Sequence, residues 1–410
     1  MVFQKVLRRM LVINGKESMT NKNLIKDMVD PAIQYEKHNS FDHFRSKKTS
    51  NLSAIRHRIE QLNKRLASQS GKDYFLKIVK KAAHQILLEE DAPRAFKLYP
   101  HTYNEISKIN DEQLPRYLFY RYRYEIFPEE KIVDDFPPCL QVEITSVCNY
   151  RCVFCYQTDS ELTEMGNGHM GNMTLELFKK VIDEANGKCE AITLASRGEP
   201  LINKEFVKML KYMNGKFLAS KVNTNASLLT EEKCHGILQT DLQTLVFSCD
   251  AAEEPLYSQL RVGGSLEIVL KKIRMFNEIK QKQYPDSKLI TRVSGVKVNH
   301  QQNIDEMDKF WGELVDEVAF VKYNPWENTY ERSINNEERP CTDLWRRSFI
   351  WWDGRVNPCD VDYRSHLCVG NVRDSSVSDL WRSSSYAELR RKHLERNRQA
   401  AFPCNRCTQI

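Results

Sequence analysis

No stretch of this 410-residue chain approaches the ~20 consecutive apolar residues that a membrane-spanning helix requires. The opening, MVFQKVLRRMLVING, offers only short apolar pieces broken by Arg8 and Arg9. That is too short and wrongly ordered for a secretory leader, and a short amphipathic helix fits it better. Both absences predict a cytoplasmic protein. Residues 1–72 also lack the interleaving of aromatic and basic side chains that base stacking wants. They nevertheless carry fifteen Lys and Arg against six Asp and Glu, in a chain whose net charge is only +6. The excess could serve nucleic acid, anionic lipid or an acidic partner. A basic, loosely ordered, solvated segment is the expectation.

What is present is ordinary for a soluble globular chain, with 41% hydrophobic and 28% charged residues. The length allows two or three domains. Twelve cysteines are many where no export signal is seen. In a reducing compartment, clustered cysteines read as metal or redox ligands rather than disulfides. Cys139, Cys189, Cys234 and Cys249 stand alone and read as small buried side chains. The other eight fall at 148–155 and 341–407.

Along the chain, Leu52, Ile55, Ile59, Leu62 and Leu66 recur at helical spacing. Residues 73–137 form a mainly helical region. In it YFLKIVKKAAHQILLEE is amphipathic and RYLFYRYRYEIF is densely aromatic and basic, a strand or helix packed on the next domain with RNA contact as the alternative. Pro137 and Pro138 mark a boundary. Beyond it six strands (CLQVEIT, EAITLAS, LASKVNT, LQTLVFSCD, KLITRVSGVKV, EVAFVKYN) alternate with five helices. One of these, TLELFKKVIDEAN, has Thr174 placed as N-cap and Leu175, Phe178, Val181, Ile182 and Ala185 on one face. Alternation of this kind means βαβ units and a parallel sheet. The expected fold is α/β, an open (βα)6 partial TIM-like barrel over residues 138–330. Residues 325–340 read as a linker, and 331–410 as a small cysteine-rich C-terminal domain.

The first cysteine group, ITSVCNYRCVFCYQ, sets Cys148, Cys152 and Cys155 at C-x3-C-x2-C spacing directly after the first strand. Ligands of open α/β sheets sit at that end of the strands. A structural zinc site takes four ligands, and so does a four-iron cluster held only by protein. Three thiolates around four irons leave one iron open. Zinc completed by a distant ligand, in a non-catalytic interaction protein, is the competing reading of the triplet alone.

CNYRCVFC resembles the signature of radical S-adenosylmethionine (radical SAM) enzymes, with Phe154 before the last cysteine and Tyr156 after it. Further matches follow in order: SRGEP at 196–200 where the family has its GGE motif, VNTNAS at 222–227, and FSCD at 247–250. Arg197 stands in place of the first glycine of that motif, and Ala226 in place of a glycine in the second. The resemblance implies a [4Fe–4S] cluster on Cys148, Cys152 and Cys155 whose open iron binds S-adenosylmethionine. Cofactor contacts are then expected from Tyr156, Gly198, Glu199, Pro200, Asn223, Ser248, Asp250 and Arg261. It implies reductive cleavage to a 5′-deoxyadenosyl radical, fed by an external one-electron reductant of flavodoxin or ferredoxin type.

The C-terminal group resembles the SPASM auxiliary-cluster domain through DGRVNPCD, VGNVRDSSVSDLW and a C-x(9–15)-G-x4-C pattern from Cys341 through Gly354 to Cys359. The full module has seven cysteines, and five stand here. A shortened form with one auxiliary [4Fe–4S] cluster on Cys341, Cys359, Cys404 and Cys407 is expected, with Cys368 as the alternate ligand and zinc as the alternate metal. Trp345, Trp351 and Trp352 are expected to pack around it. Relatives with this module imply a peptide or carbohydrate substrate in a biosynthetic or maturation reaction, and RNA modification is the alternative.

Overall fold

The computed structural model of the protein describes residues 41–47, 50–67, 73–88 and 95–410. Most of the expected basic leader, residues 1–40, lies outside them, as does the amphipathic helix read at its start. The strands are β1 (His43–Ser46), β2 (Cys139–Val142), β3 (Arg151–Cys152), β4 (Ala191–Leu194), β5 (Ala219–Thr224) and β6 (Thr244–Ser248). They continue as β7 (Arg261–Val262), β8 (Ile290–Lys297), β9 (Glu317–Lys322), β10 (Arg347–Ile350), β11 (Arg355–Asn357) and β12 (Gly370–Asn371). All six strands read from the alternation are present. They pair in parallel and in chain order, β2-β4-β5-β6-β8-β9.

Two edges are closed by elements the alternation did not reveal. Strand β1 runs antiparallel on β9. Strand β10 adds in parallel to β2, and β11 and β12 continue antiparallel from it. The cysteine-rich C-terminal residues thus extend the same sheet.

Register explains the two faces. Leu140, Val142, Ile192, Leu194, Val222, Leu245, Phe247 and Val293 are fully buried under the crossover helices. The alternate positions carry Gln141, Thr193, Lys221, Asn223, Thr244, Ser248, Arg292 and Ser294 on the opposite, inner face. The helix after β3 that runs Leu175–Ala185 shows why these segments dock. Thr174 Oγ1 accepts from Leu177 N at 3.2 Å, and Leu177, Phe178, Val181, Ile182 and Ala185 are buried. Leu177, not Leu175, completes the buried face.

The N-terminal helices α1 (Leu52–Ala67), α2 (Tyr74–Leu88), α3 (Pro100–Ile106) and α4 (Leu114–Glu130) share an apolar cluster of their own. It includes Cys139, Ala191 and Leu218, so this bundle sits under the starts of β2, β4 and β5. In α1, Ile55, Ile59, Leu62 and Leu66 are buried, but Leu52 is exposed at the first turn, outside the expected stripe. RYLFYRYRYEIF is helical and its side chains are spent in packing. Tyr117, Tyr120, Tyr122, Arg121 and Arg123 are buried, and Arg123 forks onto Asp134 at 2.6 and 2.7 Å. Cys139, Cys189, Cys234 and Cys249 are buried as expected. Among the described residues no helix is long and apolar enough to cross a membrane.

Candidate active site

Cys148, Cys152 and Cys155 lie on the loop leaving the C-terminal end of β2. The loop is held open in a defined shape. Strand β3 pairs with β7, setting Cys152 opposite Arg261, and Val153 N donates to Leu260 O at 3.0 Å. Cys155 N donates to Cys152 O at 3.0 Å, and Tyr150 N points at Cys148 Sγ at 3.4 Å. Val153 and Phe154 are buried beside the thiols.

Burial pushes the Cys148 thiol up to about 12, with Cys152 adding to it. Burial likewise pushes Cys152 up to about 11, against the pull of Arg261. Cys155 is raised well above its usual value by burial and then by Cys152 and Cys148. The three therefore sense one another and stay protonated unless a metal takes the proton's place. Among the described residues, no group of three or more His, Cys, Asp or Glu side chains is placed to hold a metal ion as it stands. The fit to an iron–sulfur cluster rests on the donor set: three soft thiols from one short loop, screened by apolar neighbours.

The turn after β4 is fastened to this loop. Glu199 N donates to Val147 O at 2.9 Å. Gly198 packs so closely that a Cβ there would meet Thr145 O, and Val147 O at 2.6 Å. Glu199 is buried, and its carboxylate accepts from Thr224 Oγ1 (2.6 Å), Asn225 N (2.7 Å) and Leu201 N (3.1 Å). Burial raises its pKa against these bonds. Glu199 thus ties the β4 turn to the end of β5, and Pro200 opens the short helical turn that Glu199 caps. Asn223 Oδ1 is buried with no hydrogen-bond partner, one strand position below that turn on the inner face. Ser248 ends β6 on the same face, half-buried.

Asp250 and Arg261 come together. Arg261 Nε meets Asp250 Oδ2 at 2.5 Å, and Val296 N donates to Asp250 Oδ1 at 2.7 Å. Arg261 Nη1 leans on Cys152 Sγ at 3.9 Å, which brings a buried cation to the thiols. Tyr156 packs on Tyr363 and Trp326, with ring centroids 5.3 and 6.2 Å away.

Arg197, at the departed glycine position, has a structural answer. Its fully buried guanidinium forks onto Glu143 with two 2.6 Å bonds, lies 4.3 Å from the Trp351 ring centre, and donates to Tyr363 O at 2.8 Å. Sequence reasoning missed Glu143, Tyr363 and Gln157, whose side-chain amide donates to Ser146 O at 2.8 Å and also to Arg197 O. The available signal was a lone acid inside an apolar strand, one strand away from a lone base.

The second group gathers Cys341, Cys404 and Cys407, all buried, with Cys359 half-buried. Burial raises Cys341 to about 11, then Asp343. Cys359 goes up mainly by burial, with Cys404 next, and Cys404 goes up mainly by burial, with Cys407 and Cys341 adding against the pull of Arg398. Buried Arg398 donates to Cys404 O (3.3 Å) and Cys407 O (3.2 Å), a cation set inside the loop. Cys368 turns its thiol to Gly370 O at 3.3 Å. Trp345 packs with Cys341 and Cys404 as expected. Trp351 and Trp352 do not: Trp351 covers Arg197, and Trp352 lies against Gly171.

Two family models match the chain, the radical SAM superfamily over residues 142–308 and the SPASM iron–sulfur cluster-binding domain over 341–408. Among similar proteins is the tungsten-containing aldehyde ferredoxin oxidoreductase cofactor-modifying protein of Pyrococcus furiosus, 24% identical over 302 residues, which are 61% of this chain and 82% of that one. Mycofactocin maturase MftC of Mycolicibacterium smegmatis is 24% identical over 176 residues, 43% of this chain and 41% of the relative. Among solved structures, Streptococcus suis SuiB bound to S-adenosylmethionine aligns with a TM-score of 0.47 at 14% identity, covering 82% of this chain and 83% of that one. An open α/β sheet has a three-thiol loop at its carboxyl edge, and a second thiol group lies in the region that the auxiliary-cluster model matches, so this chain carries a radical SAM superfamily domain over residues 142–308 and a SPASM iron–sulfur cluster-binding domain over 341–408.

Proposed function

We propose that Cys148, Cys152 and Cys155 hold a [4Fe–4S] cluster with one iron left for S-adenosylmethionine, and that Cys341, Cys359, Cys404 and Cys407 hold an auxiliary [4Fe–4S] cluster. The observation that carries this reading is the fastening of the Gly198–Glu199 turn to the cysteine loop through Val147 O. It supports the reading by holding the backbone of that turn against the loop that carries the thiols. A cluster held by these residues would supply the electron for reductive cleavage of S-adenosylmethionine to a hydrogen-abstracting radical.

The chain's own residues do the rest. Arg261, held by Asp250, offsets the thiolate charge beside Cys152. Val153 and Phe154 keep water from the thiols, and Tyr156 under Tyr363 and Trp326 closes the side facing the C-terminal region. Asn223 Oδ1 is an acceptor awaiting a donor, which suits a ligand hydroxyl or ammonium. The substrate we assign is of peptide or carbohydrate type, in a maturation reaction. The maturase name of the mycobacterial relative supports the maturation reading. The electron donor is an external flavodoxin or ferredoxin, and the setting is the reducing cytoplasm, consistent with twelve unpaired cysteines.

The test is anaerobic. Reconstituted protein is given dithionite and S-adenosylmethionine, and 5′-deoxyadenosine is measured with iron and acid-labile sulfide on the same sample. About eight irons and product support both clusters. Two zincs without sulfide would overturn the assignment.

A further inference from the structure

At the end of the barrel opposite the cysteine loop lies a cavity of about 250 Å³. Its wall is formed by the first residues of the strands and by the helical bundle beneath them, and it includes no residue of the cysteine loop or the 196–200 turn. Five cations face it: Arg121, Lys221, Arg292, Arg346 and Arg347. We propose that this cavity binds a small oxyanion, of phosphate or carboxylate chemistry, with Lys221 and Arg346 as its principal contacts.

The charges lining the cavity point to an anion. Arg121 pairs with Glu125 along α4. Arg292 forks onto Glu317 at 2.8 and 2.5 Å. Arg346 and Arg347 share one carboxylate, Asp343, at 3.7 and 3.5 Å, and Arg347 also donates to Tyr124 Oη at 2.7 Å. Glu105 also lines the cavity and accepts from Tyr117 Oη at 2.6 Å. The Lys221 ammonium makes no hydrogen bond or ion pair with any described residue, whereas its backbone is part of the sheet. It projects from the inner face of β5, with Arg292 and Arg347 as its cationic neighbours.

The arginines also keep donors in reserve. Arg121 Nε and Arg346 Nη2 are buried without a hydrogen-bond partner, Arg347 Nε has only the Asp343 carboxylate at 3.5 Å, and Arg346 is only 1% exposed. Buried donors are nearly always satisfied, so two partnerless donors around one cavity ask for an acceptor. An oxyanion provides several lone pairs to guanidinium forks and a counter-charge to the ammonium at once. Burial and the neighbouring cations push Lys221 down to about 8, and they hold His101 on the same wall well below its usual value. Bound negative charge relieves the first effect. The volume lies just under the ~300–1,000 Å³ of common ligand pockets, which suits a compact anion.

The experiment uses the full reconstituted chain at low ionic strength, with inorganic pyrophosphate and citrate as separate probes. Lysine acetylation by acetic anhydride, read by mass spectrometry, is compared with and without each probe. Lys221 should be protected at least fivefold by one of them, while exposed Lys282 is unchanged. Pyrophosphate protection assigns a phosphate-bearing ligand, and citrate protection a carboxylate. In parallel, calorimetric titration should give one site per chain, weakened at least tenfold by Lys221→Met. That variant should cleave S-adenosylmethionine at the parent rate. No protection by either probe, or equal binding by Lys221→Met, overturns the proposal. The labelling arm needs no variant, so a misfolded substitution cannot obscure it.

Discussion

Replacing Arg197 by Met tests the account of the departed glycine most directly. The substitution removes both 2.6 Å bonds to Glu143, the bond to Tyr363 O and the contact with the Trp351 ring. Glu143 is then left fully buried, with only the backbone N–H groups of residue 197 (3.2 Å) and Trp352 (3.3 Å) as donors. Breaking one partner of a buried pair costs about 3–5 kcal/mol, because an uncompensated charge stays inside. At an unfolding entropy of about 2.1 cal/mol/K per residue, a chain of 410 residues loses about 4–6 °C of melting temperature. The assay is thermal unfolding at one fixed scan rate, followed by circular dichroism, on matched reconstituted samples. The double variant Glu143→Met with Arg197→Met should regain at least half the loss, since a buried pair replaced by apolar residues of similar volume is often neutral. A single variant that melts within 1 °C of the parent refutes the reasoning. So does a double variant whose loss equals the sum of the two singles, because that would mean no coupling.

Other outcomes follow from the same geometry. Ala at any of Cys148, Cys152 or Cys155 should abolish 5′-deoxyadenosine formation while about four irons remain in the auxiliary site; residual product would displace the assignment. Cys404→Ala should lower iron from about eight to about four, whereas Cys368→Ala should leave it unchanged, because that thiol faces Gly370 O. Gly198→Ala forces a Cβ against Thr145 O and Val147 O, so S-adenosylmethionine cleavage should fall at least about tenfold with iron retained. Full activity in that variant would show that the close approach is dispensable.

Much of the barrel was legible because its information is local. Six apolar runs bounded by turns and five helices with apolar stripes each declare themselves within a dozen residues, and the six strands formed in chain order. The thiol triplet was legible for the same reason, since its spacing is contained in one loop. Strands β1 and β10–β12 were not. They are two to four residues long and have meaning only as edges added to β9 and β2. The aromatic-basic helix α4 illustrates the opposite failure. Its composition admits strand, helix or RNA surface, and only burial against α2 and the strand starts decides among them.

The sequence by itself determined the family, the alternating α/β core and the positions of the thiols, because motif spacing and hydrophobic period survive without a partner. Only the tertiary structure decided that Arg197 is a clasp rather than a flaw, that Arg261 spends its charge between Asp250 and Cys152, and that five cations converge under the barrel. These depend on charges brought together from distant strands and helices. Their energies come from burial and pairing, and neither leaves a periodic trace along the chain.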